Sequence, residues 1–299
     1  MRHRLTLAAL VVTMAVGIAG CDRRSEMGPE ANATEVIELR KKFASGESAT
    51  AGGDSPAATQ FAGWADLSGT IKLVGTAPTP ARLTADKDTE VCGKHPLVDE
   101  SVTVGPGGGL QNVVVFLRTK KPPVHPDYEA TAASEVVLDN KNCRFEPHVA
   151  VKRSTQPLVI KNSDPVGHNT KADAISNAPF NVLIPAGNSS QQAMTAEEAL
   201  PVKVGCSIHP WMGGWVVVRS DPYAAASNSD GAFELKNVPA GKEVEFQLWQ
   251  EKKGGLSGVK VTGSDGKPVT VDAKGRFKLK LEDAKPLSLA FEVPAEALQ

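Results

Sequence analysis

A short segment near the middle of the chain contains three side chains that can bind a soft metal ion. Residues 206–212 read CSIHPWM, with a thiol at Cys206, an imidazole at His209 and a thioether at Met212. A second imidazole, His168, lies upstream in the segment NSDPVGHN. One thiolate, two imidazoles and a weak thioether form the ligand set that selects copper for one-electron chemistry. These residue types and their spacing therefore predict a single copper site.

The segments that must position these ligands have the pattern of short β-strands. Runs rich in β-branched residues alternate with clusters of Gly, Pro, Asn and Asp, and helical periodicity is lacking after residue 64. Many short strands separated by turns are typical of a sandwich or a barrel, so we expect an all-β fold. The clearest strand candidates are residues 70–74, 113–117, 135–138, 158–160 and 215–218.

The candidate ligand loop resembles that of the cupredoxins, with amicyanin the nearest in spacing. This resemblance covers about residues 135–219, and it implies a cupredoxin-like Greek-key β-sandwich. We assign residues 64–219 to this domain, with an N-terminal strand extension before its core at 135–219. The residues that carry the resemblance are Cys206, His209, Pro210 and Met212, the valines 216–218, and the segments 145–149 and 158–164 before His168.

The resemblance also implies the role of each ligand in a type 1 copper site. Cys206 would bind as a thiolate through a short covalent bond, and His168 and His209 would complete a trigonal plane as neutral imidazoles. Met212 would be the weak axial ligand. Only one copper ion is expected.

Residues beside the ligands match the same family pattern. Asn169 and Ser207 would hydrogen-bond to each other and tie the ligand loop to the scaffold, which orients the ligands. His209 would lie nearest the surface as the exit for the electron. Pro210 and Trp211 would flank that exit as an apolar docking patch.

A second unit is predicted over residues 220–299. The segment SDGAFEL at 229–235 starts a new pattern, and VEFQLW at 244–249 alternates apolar and polar residues as a half-buried strand does. These segments resemble the carboxypeptidase regulatory-like or transthyretin-like domains. The resemblance implies a smaller β-sandwich that carries no catalytic residues.

The N-terminus has the pattern of an export signal. A basic start and a short apolar run end in small residues before Cys21, and the apolar run is too short to span a bilayer. This arrangement resembles a bacterial lipobox, which implies a signal peptide at residues 1–20 and lipidation of Cys21. An ordinary secretory signal is the alternative. Residues 21–63 have the composition of a flexible tether. We therefore expect a lipid-anchored protein of the bacterial cell envelope, on its periplasmic or extracytoplasmic face.

Two further cysteines, Cys92 and Cys143, remain in a chain that is expected to be exported. An even pair in an oxidising compartment predicts a disulfide. A structural zinc site is an alternative, because His95 and His148 follow these cysteines at short distances and Cys₂His₂ is an established zinc set. The third interpretation is that Cys92 and Cys143 are both free thiols.

Composition and motifs argue against several classes of function. The formal net charge is −1 and no basic stripe is interleaved with aromatic residues, so a nucleic acid is not expected as a partner. A type 1 site has no open position for a substrate, and six histidines are too few for the extra clusters of the multicopper enzymes. An enzyme is therefore not expected.

Three functions fit these observations. The first is a membrane-tethered electron carrier between a donor and an acceptor redox protein. The second is a copper storage or delivery protein. The third is an envelope module that binds a glycan or a protein and keeps only a vestigial copper site, with Phe246 and Trp249 as candidate contact residues.

Overall fold

The computed structural model describes residues 61–298 of the 299-residue chain. The predicted signal peptide, the lipidation site Cys21 and residues 21–60 of the tether lie outside the described residues. Within residues 61–298, regular structure is dominated by strands, as the sequence predicts. None of the helices in this part of the chain has the length and apolarity needed to cross a membrane.

The helices are short. They are α1 (Thr89–Cys92) and two 3₁₀ helices at Pro126–Thr131 and Ala295–Leu298. The strands are β1 (Trp64–Val74), β2 (Val114–Leu117), β3 (Val136–Lys141), β4 (Arg144–Glu146), β5 (Val149–Arg153), β6 (Leu158–Asn162), β7 (His168–Ala172), β8 (Phe180–Ile184), β9 (Ser189–Gln192), β10 (Val202–Gly205), β11 (Gly213–Arg219), β12 (Ala224–Ala226), β13 (Ala232–Pro239), β14 (Glu243–Gln250), β15 (Gly254–Gly255), β16 (Lys260–Gly263), β17 (Pro268–Val269), β18 (Arg276–Lys280) and β19 (Leu287–Pro294).

Strands β3 to β11 form the sandwich that carries the candidate ligands, called here the ligand sandwich. One sheet has the order β5-β11-β10-β7-β8 and the other β4-β3-β6-β9, with crossovers between strands that are not consecutive. Alternate residues point to the same side of a strand, so Leu158 and Ile160 of β6 both face inward. They share one buried core with Val216 and Val218 of β11. Burial of these apolar side chains fixes how the two sheets face each other.

The remaining strands form a second sandwich, called here the terminal sandwich. Its sheets have the orders β13-β1-β19-β16-β17 and β12-β2-β14-β15, with β18 paired to β14. Its core is rich in aromatic residues: the Phe277 ring lies 5.4 Å from Phe246 and 5.8 Å from Phe291. Aromatic pairs at such distances stabilise the fold beyond the contribution of the apolar area that they bury.

The strand pairing corrects the predicted boundary between residues 219 and 220. β1 pairs antiparallel with β13 and parallel with β19, and β2 pairs with β14. Strands of the predicted N-terminal extension thus belong to the same sheets as strands from the end of the chain, and not to the ligand sandwich. The physical reason is that β1 and β2 bury their apolar residues, such as Leu67 and Val115, in the core of the terminal sandwich.

The two sandwiches also contact each other through apolar side chains. Val114 and Phe116 of β2 form a small cluster with Val217 of the ligand sandwich and with Trp249. Trp249 and Phe246, the aromatic residues considered for glycan binding, are both buried. Neither side chain is therefore available as a surface contact.

Candidate metal centre

The candidate ligand loop is the connection of a β-hairpin. β10 and β11 pair antiparallel, with Gly205 opposite Gly213, and residues 206–212 join them. The Cys206 N–H donates to the Met212 carbonyl at 3.3 Å, and the Met212 N–H donates to the His209 carbonyl at 2.9 Å. These backbone hydrogen bonds close the loop, so the hairpin holds all three of its candidate ligands at one end of the sheet.

The upstream histidine reaches the same end because of strand register. β7 runs antiparallel to β10 with Lys171 opposite Gly205. Continuing this register by two residues places Asn169 opposite Ser207. His168, the first residue of β7, therefore lies beside the ligand loop.

Asn169 ties the ligand loop to β7 mainly through backbone groups. Its Oδ1 accepts the N–H of Ser207 at 2.8 Å and the N–H of Ile208 at 3.1 Å. Its Nδ2 donates to Asn181 Oδ1 at 2.6 Å and makes a longer bond of 3.4 Å to Ser207 Oγ. The loop conformation is thus set by a side chain on a neighbouring strand.

Three of the predicted ligands come together in the interior. The ligand atoms of His168, Cys206 and His209 all lie within 4.8 Å of one another. The two Nδ1 atoms are 2.8 Å apart, and Cys206 Sγ lies 3.8 Å from His209 Nδ1. Both imidazoles are 0 % exposed and Cys206 is 5 % exposed. Met212 is buried in the same core as Cys206.

Each histidine is oriented by a carboxylate on its outer nitrogen. His168 Nε2 lies 2.9 Å from Asp164 Oδ2, and His209 Nε2 lies 2.8 Å from Asp88 Oδ2. Because a carboxylate accepts a proton at Nε2, the Nδ1 atoms are left to face the centre. A carboxylate behind a histidine is the usual arrangement for a metal-binding imidazole.

Asp164 is itself fixed by the turn between β3 and β4. Its two carboxylate oxygens accept the backbone N–H groups of Asn142 at 2.7 Å and of Cys143 at 2.8 Å. Both turn residues have positive φ, at 55° and 54°, which aims their N–H groups in the same direction. Burial alone would raise the pKa of Asp164, but these bonds and the one from His168 lower it.

The hydrogen bonds give the three donors different proton affinities in the metal-free protein. Burial opposes the charged form of His168, but Asp164 and Cys206 outweigh it and raise the pKa of His168 to about 9. Burial, together with the nearby charge of His168, lowers the pKa of His209 despite its bond to Asp88.

The pKa of the Cys206 thiol is also lowered, because hydrogen bonds from His168 and from backbone N–H groups outweigh the effect of burial. The Nδ1 atoms of His168 and His209 lie 2.8 Å apart, so at most one proton lies between them in the metal-free protein. A metal ion that binds between them must displace this proton, since imidazole ligands bind through an unprotonated nitrogen.

The second group of candidate metal ligands within residues 61–298 is Cys143, Asp164 and His168. Cys143 is bonded to Cys92, with an S–S distance of 1.98 Å, so neither sulfur is a thiolate. His148, considered for a zinc site, instead has its Nε2 2.8 Å from Glu251 Oε1. The zinc alternative therefore lacks its sulfur ligands.

Neighbouring side chains cover His209, the ligand that the resemblance places nearest the surface. Trp211 is only partly buried, and its Nε1–H donates to the Cys143 carbonyl at 3.2 Å, while Pro210 is exposed. His209 is 0 % exposed. Asp88, which precedes the disulfide-bonded helix α1, contacts its Nε2, and Trp211 packs beside its ring. His209 thus has no exposed surface of its own, and its position nearest the surface among the ligands stays a prediction.

Two residues at the centre were not identified as functional from the sequence. Asp164 precedes His168 by four residues, in the segment 158–164 that contributes to the resemblance without giving this carboxylate a role. Asp88 lies about eighty residues before His168, in a segment without any ligand motif, and no sequence signal connects it to His209. Only the fold brings this carboxylate to the site.

Comparison with known proteins gives likenesses over part of the chain. A copper-containing nitrite reductase from Thermus scotoductus SA-01 is similar at 21% identity with a TM-score of 0.26, over 28% of this chain and 22% of that chain. A purple cupredoxin from Nitrosopumilus maritimus is similar at 22% identity with a TM-score of 0.24, over 28% of this chain and 97% of that chain. An amicyanin variant in its reduced Cu(I) form at pH 4 is similar at 18% identity with a TM-score of 0.26, over 35% of this chain and 98% of that chain.

The chain thus spans 22% of the length of that nitrite reductase. No protein-family model matches the chain, and no curated protein matches it.

Proposed function

We propose that this chain is a type 1 copper protein that carries single electrons. The observation that carries the proposal is the buried group of His168, Cys206 and His209, whose ligand atoms lie within 4.8 Å of one another. One sulfur and two imidazole nitrogens are the donors that suit copper in a one-electron site. The donor set therefore fits the metal that its chemistry implies.

The residues of the chain would divide the work as follows. Cys206, as a thiolate, the Nδ1 atoms of His168 and His209, and the Met212 thioether would hold the ion. Bound copper would supply a couple between its one-electron oxidation states. The chain's own contribution is rigidity, because Asn169 fixes the ligand loop through two backbone N–H groups and so limits movement when the charge changes.

The burial of the ligands favours an electron carrier over a copper store. A protein that hands over copper needs ligands that can exchange with those of a partner. Here both histidines are buried, and each is hydrogen-bonded at its outer nitrogen. An electron, unlike an ion, can leave such a site without opening it.

The setting of the carrier is also part of the proposal. The N-terminal pattern that ends at Cys21 supports a lipid anchor on the outer face of a bacterial membrane. Its donor and acceptor would then be redox proteins of the cell envelope. The chain would act as a carrier and not as an enzyme, since a type 1 site formed by His168, Cys206, His209 and Met212 includes no substrate position.

A visible absorption spectrum tests the copper assignment. The copper-loaded, oxidised protein should show intense thiolate-to-copper absorption, and Cys206→Ala should abolish it because the only free thiol within residues 61–298 is lost. Ser207→Ala is the matched control, since the bonds to Asn169 from the backbone remain and the colour should persist. A reversible one-electron wave in voltammetry should accompany the colour. Exchange-labile Cu(I) without such a wave would instead support storage or delivery.

A further inference from the structure

We propose that residues 81–99 form a cap over His209, and that Asp88 is the positioning residue through which this cap holds the His209 ring. The inference rests on the proposed copper function, but it concerns the segment that encloses the site. It makes Asp88, and not His209, the group that a redox partner meets at the surface.

The cap is a closed structural unit. At its base the Leu83 N–H donates to the Leu97 carbonyl at 3.0 Å, and the Asp99 N–H donates to the Ala81 carbonyl at 2.8 Å. These two bonds bring the ends of the segment together. The segment therefore leaves the rest of the chain and returns to it at one place.

The cap is also attached directly to the ligand sandwich. Cys92 at the end of α1 is bonded to Cys143, the residue whose N–H fixes Asp164. Leu97 of the cap packs in the same apolar cluster as Trp211 of the ligand loop and Val166 before His168. One covalent bond and one apolar cluster thus hold the cap against both segments that supply ligands.

Asp88 is the point at which the cap reaches the metal centre. It immediately precedes α1, with φ at 46°, and its Oδ2 lies 2.8 Å from His209 Nε2. The imidazole is 0 % exposed, whereas the Asp88 side chain is 42 % exposed. The carboxylate therefore spans from the buried ring to solvent.

The contact has two consequences for His209. By accepting the Nε2 proton, Asp88 selects the tautomer whose Nδ1 faces His168 and Cys206. The same contact restrains the orientation of the ring, and Trp211 packs beside it with its ring centre 5.0 Å from that of His209. A carboxylate in this place acts on the metal only through the histidine.

Copper affinity and the exchange of one proton test this role in the full chain. Asp88→Ala should weaken copper affinity by about 10- to 100-fold in a chelator competition, the usual effect of losing such a partner. In the metal-free protein labelled with ¹⁵N-histidine, exchange of the His209 Nε2 proton should accelerate by about tenfold or more, as expected for the loss of a hydrogen bond to a charged group. Asp88→Glu should recover part of the lost copper affinity and should slow the exchange of the His209 Nε2 proton again.

Asp86→Ala is the matched control, because Asp86 is an exposed cap residue two positions away with no contact to His209 among the described interactions. It should behave as the unmodified protein does in both measurements. The inference would be overturned if the Asp88→Ala and Asp86→Ala proteins had the same copper affinity and the same exchange rate of the His209 Nε2 proton. Weakened copper binding with unchanged proton exchange would also overturn it, since Asp88 would then not act through His209.

A third variant tests the cap as a unit. Cys92→Ser/Cys143→Ser removes its covalent attachment, so the His209 proton should again exchange faster than in the unmodified protein. Unchanged exchange would overturn the inference that the attached cap is the unit that holds Asp88 against His209. Failure of the copper proposal is distinguishable, because a colourless unmodified protein would leave the proton-exchange comparison in the metal-free protein intact.

Discussion

Replacing a buried lysine, Lys152, with methionine should stabilise the protein at neutral pH. Lys152 lies on β5, and strand alternation points it to the same side as Ala150, into the core of the ligand sandwich. It is 1 % exposed, and its Nζ donates to the Met194 carbonyl at 2.7 Å. No carboxylate in the described residues is within ion-pair distance of this Nζ, so the buried charge is compensated only by a neutral acceptor.

The magnitude follows from the effect of burial on the lysine. Burial lowers the pKa of Lys152 from 10.5 to about 8. At 1.36 kcal/mol for each pKa unit, keeping the charge buried costs about 3 kcal/mol at pH 7. Lys152→Met removes this cost but leaves the Met194 carbonyl without its donor, a loss of about 1 kcal/mol. The variant should therefore be more stable by about 2 kcal/mol.

The gain should disappear as the pH rises. Between pH 8 and 10.5 the unfolded chain keeps a proton that the folded protein releases, so the stability of the unmodified protein increases with pH in this window. By pH 9.5 only about 1 kcal/mol of the cost remains, which is about the size of the lost hydrogen bond. The two proteins should then have nearly equal stability.

Urea unfolding of the metal-free protein with its disulfide intact provides the measurement. Lys161→Met is the control, since Lys161 lies on β6 of the same sandwich with 54 % of its side chain exposed. This exposed substitution should give only a small difference in stability. A Lys152→Met protein that is less stable at pH 7, or whose difference from the unmodified protein is the same at both pH values, would refute the reasoning.

Two further predictions concern contacts that hold segments together. The hydrogen bond and charge of Glu251 outweigh burial and raise the pKa of His148 above 6.5, so the stability from their contact is fully present below pH 6.5 and is lost as the pH rises through the raised value. His148→Gln should therefore lower the thermal midpoint more at pH 5.5 than at pH 9, and an equal loss at both pH values would contradict this. The Cys92–Cys143 disulfide closes a sequence separation of 51 residues, for which the loop-entropy relation gives about 4 kcal/mol. Cys92→Ser/Cys143→Ser should lower the urea midpoint accordingly, measured in a Cys206→Ser background in which no thiol can rearrange, and a midpoint unchanged by this double substitution would contradict the estimate.

The all-β fold can be predicted from the sequence because each strand shows its own pattern of apolar residues bounded by turn residues. The inward residues of β6 and β11 alternate or run together as buried strands do, and the turns between them carry their own residue preferences. The hairpin that contains Cys206 and Met212 is equally local, since both strands adjoin the loop. Patterns of this kind require no knowledge of distant segments.

The division into two sandwiches could not be predicted in the same way. β1 and β19 are the first and last strands of the described chain, and they lie side by side in one sheet. Alternation shows that each strand has a buried side, but it does not show which partner covers that side. Long-range pairing depends on the total fit of both sheets, which no window of sequence contains. Lys152 illustrates the same limit, because a lysine within a strand ordinarily indicates an exposed position.

Asp88 shows why the surroundings of a site are harder to predict than its ligands. The ligand types are restricted by the chemistry of the metal, so Cys206 and His209 carry information by themselves. A carboxylate that orients a ligand needs only to be within reach of one nitrogen, and any acidic residue of the chain meets that chemical requirement. What distinguishes Asp88 from Asp86 is the closed base of the cap and the bond from Cys92 to Cys143, which direct one carboxylate and not the other at His209. The fold therefore decides which residue orients His209, and only the tertiary contact between the cap and the metal centre identifies Asp88.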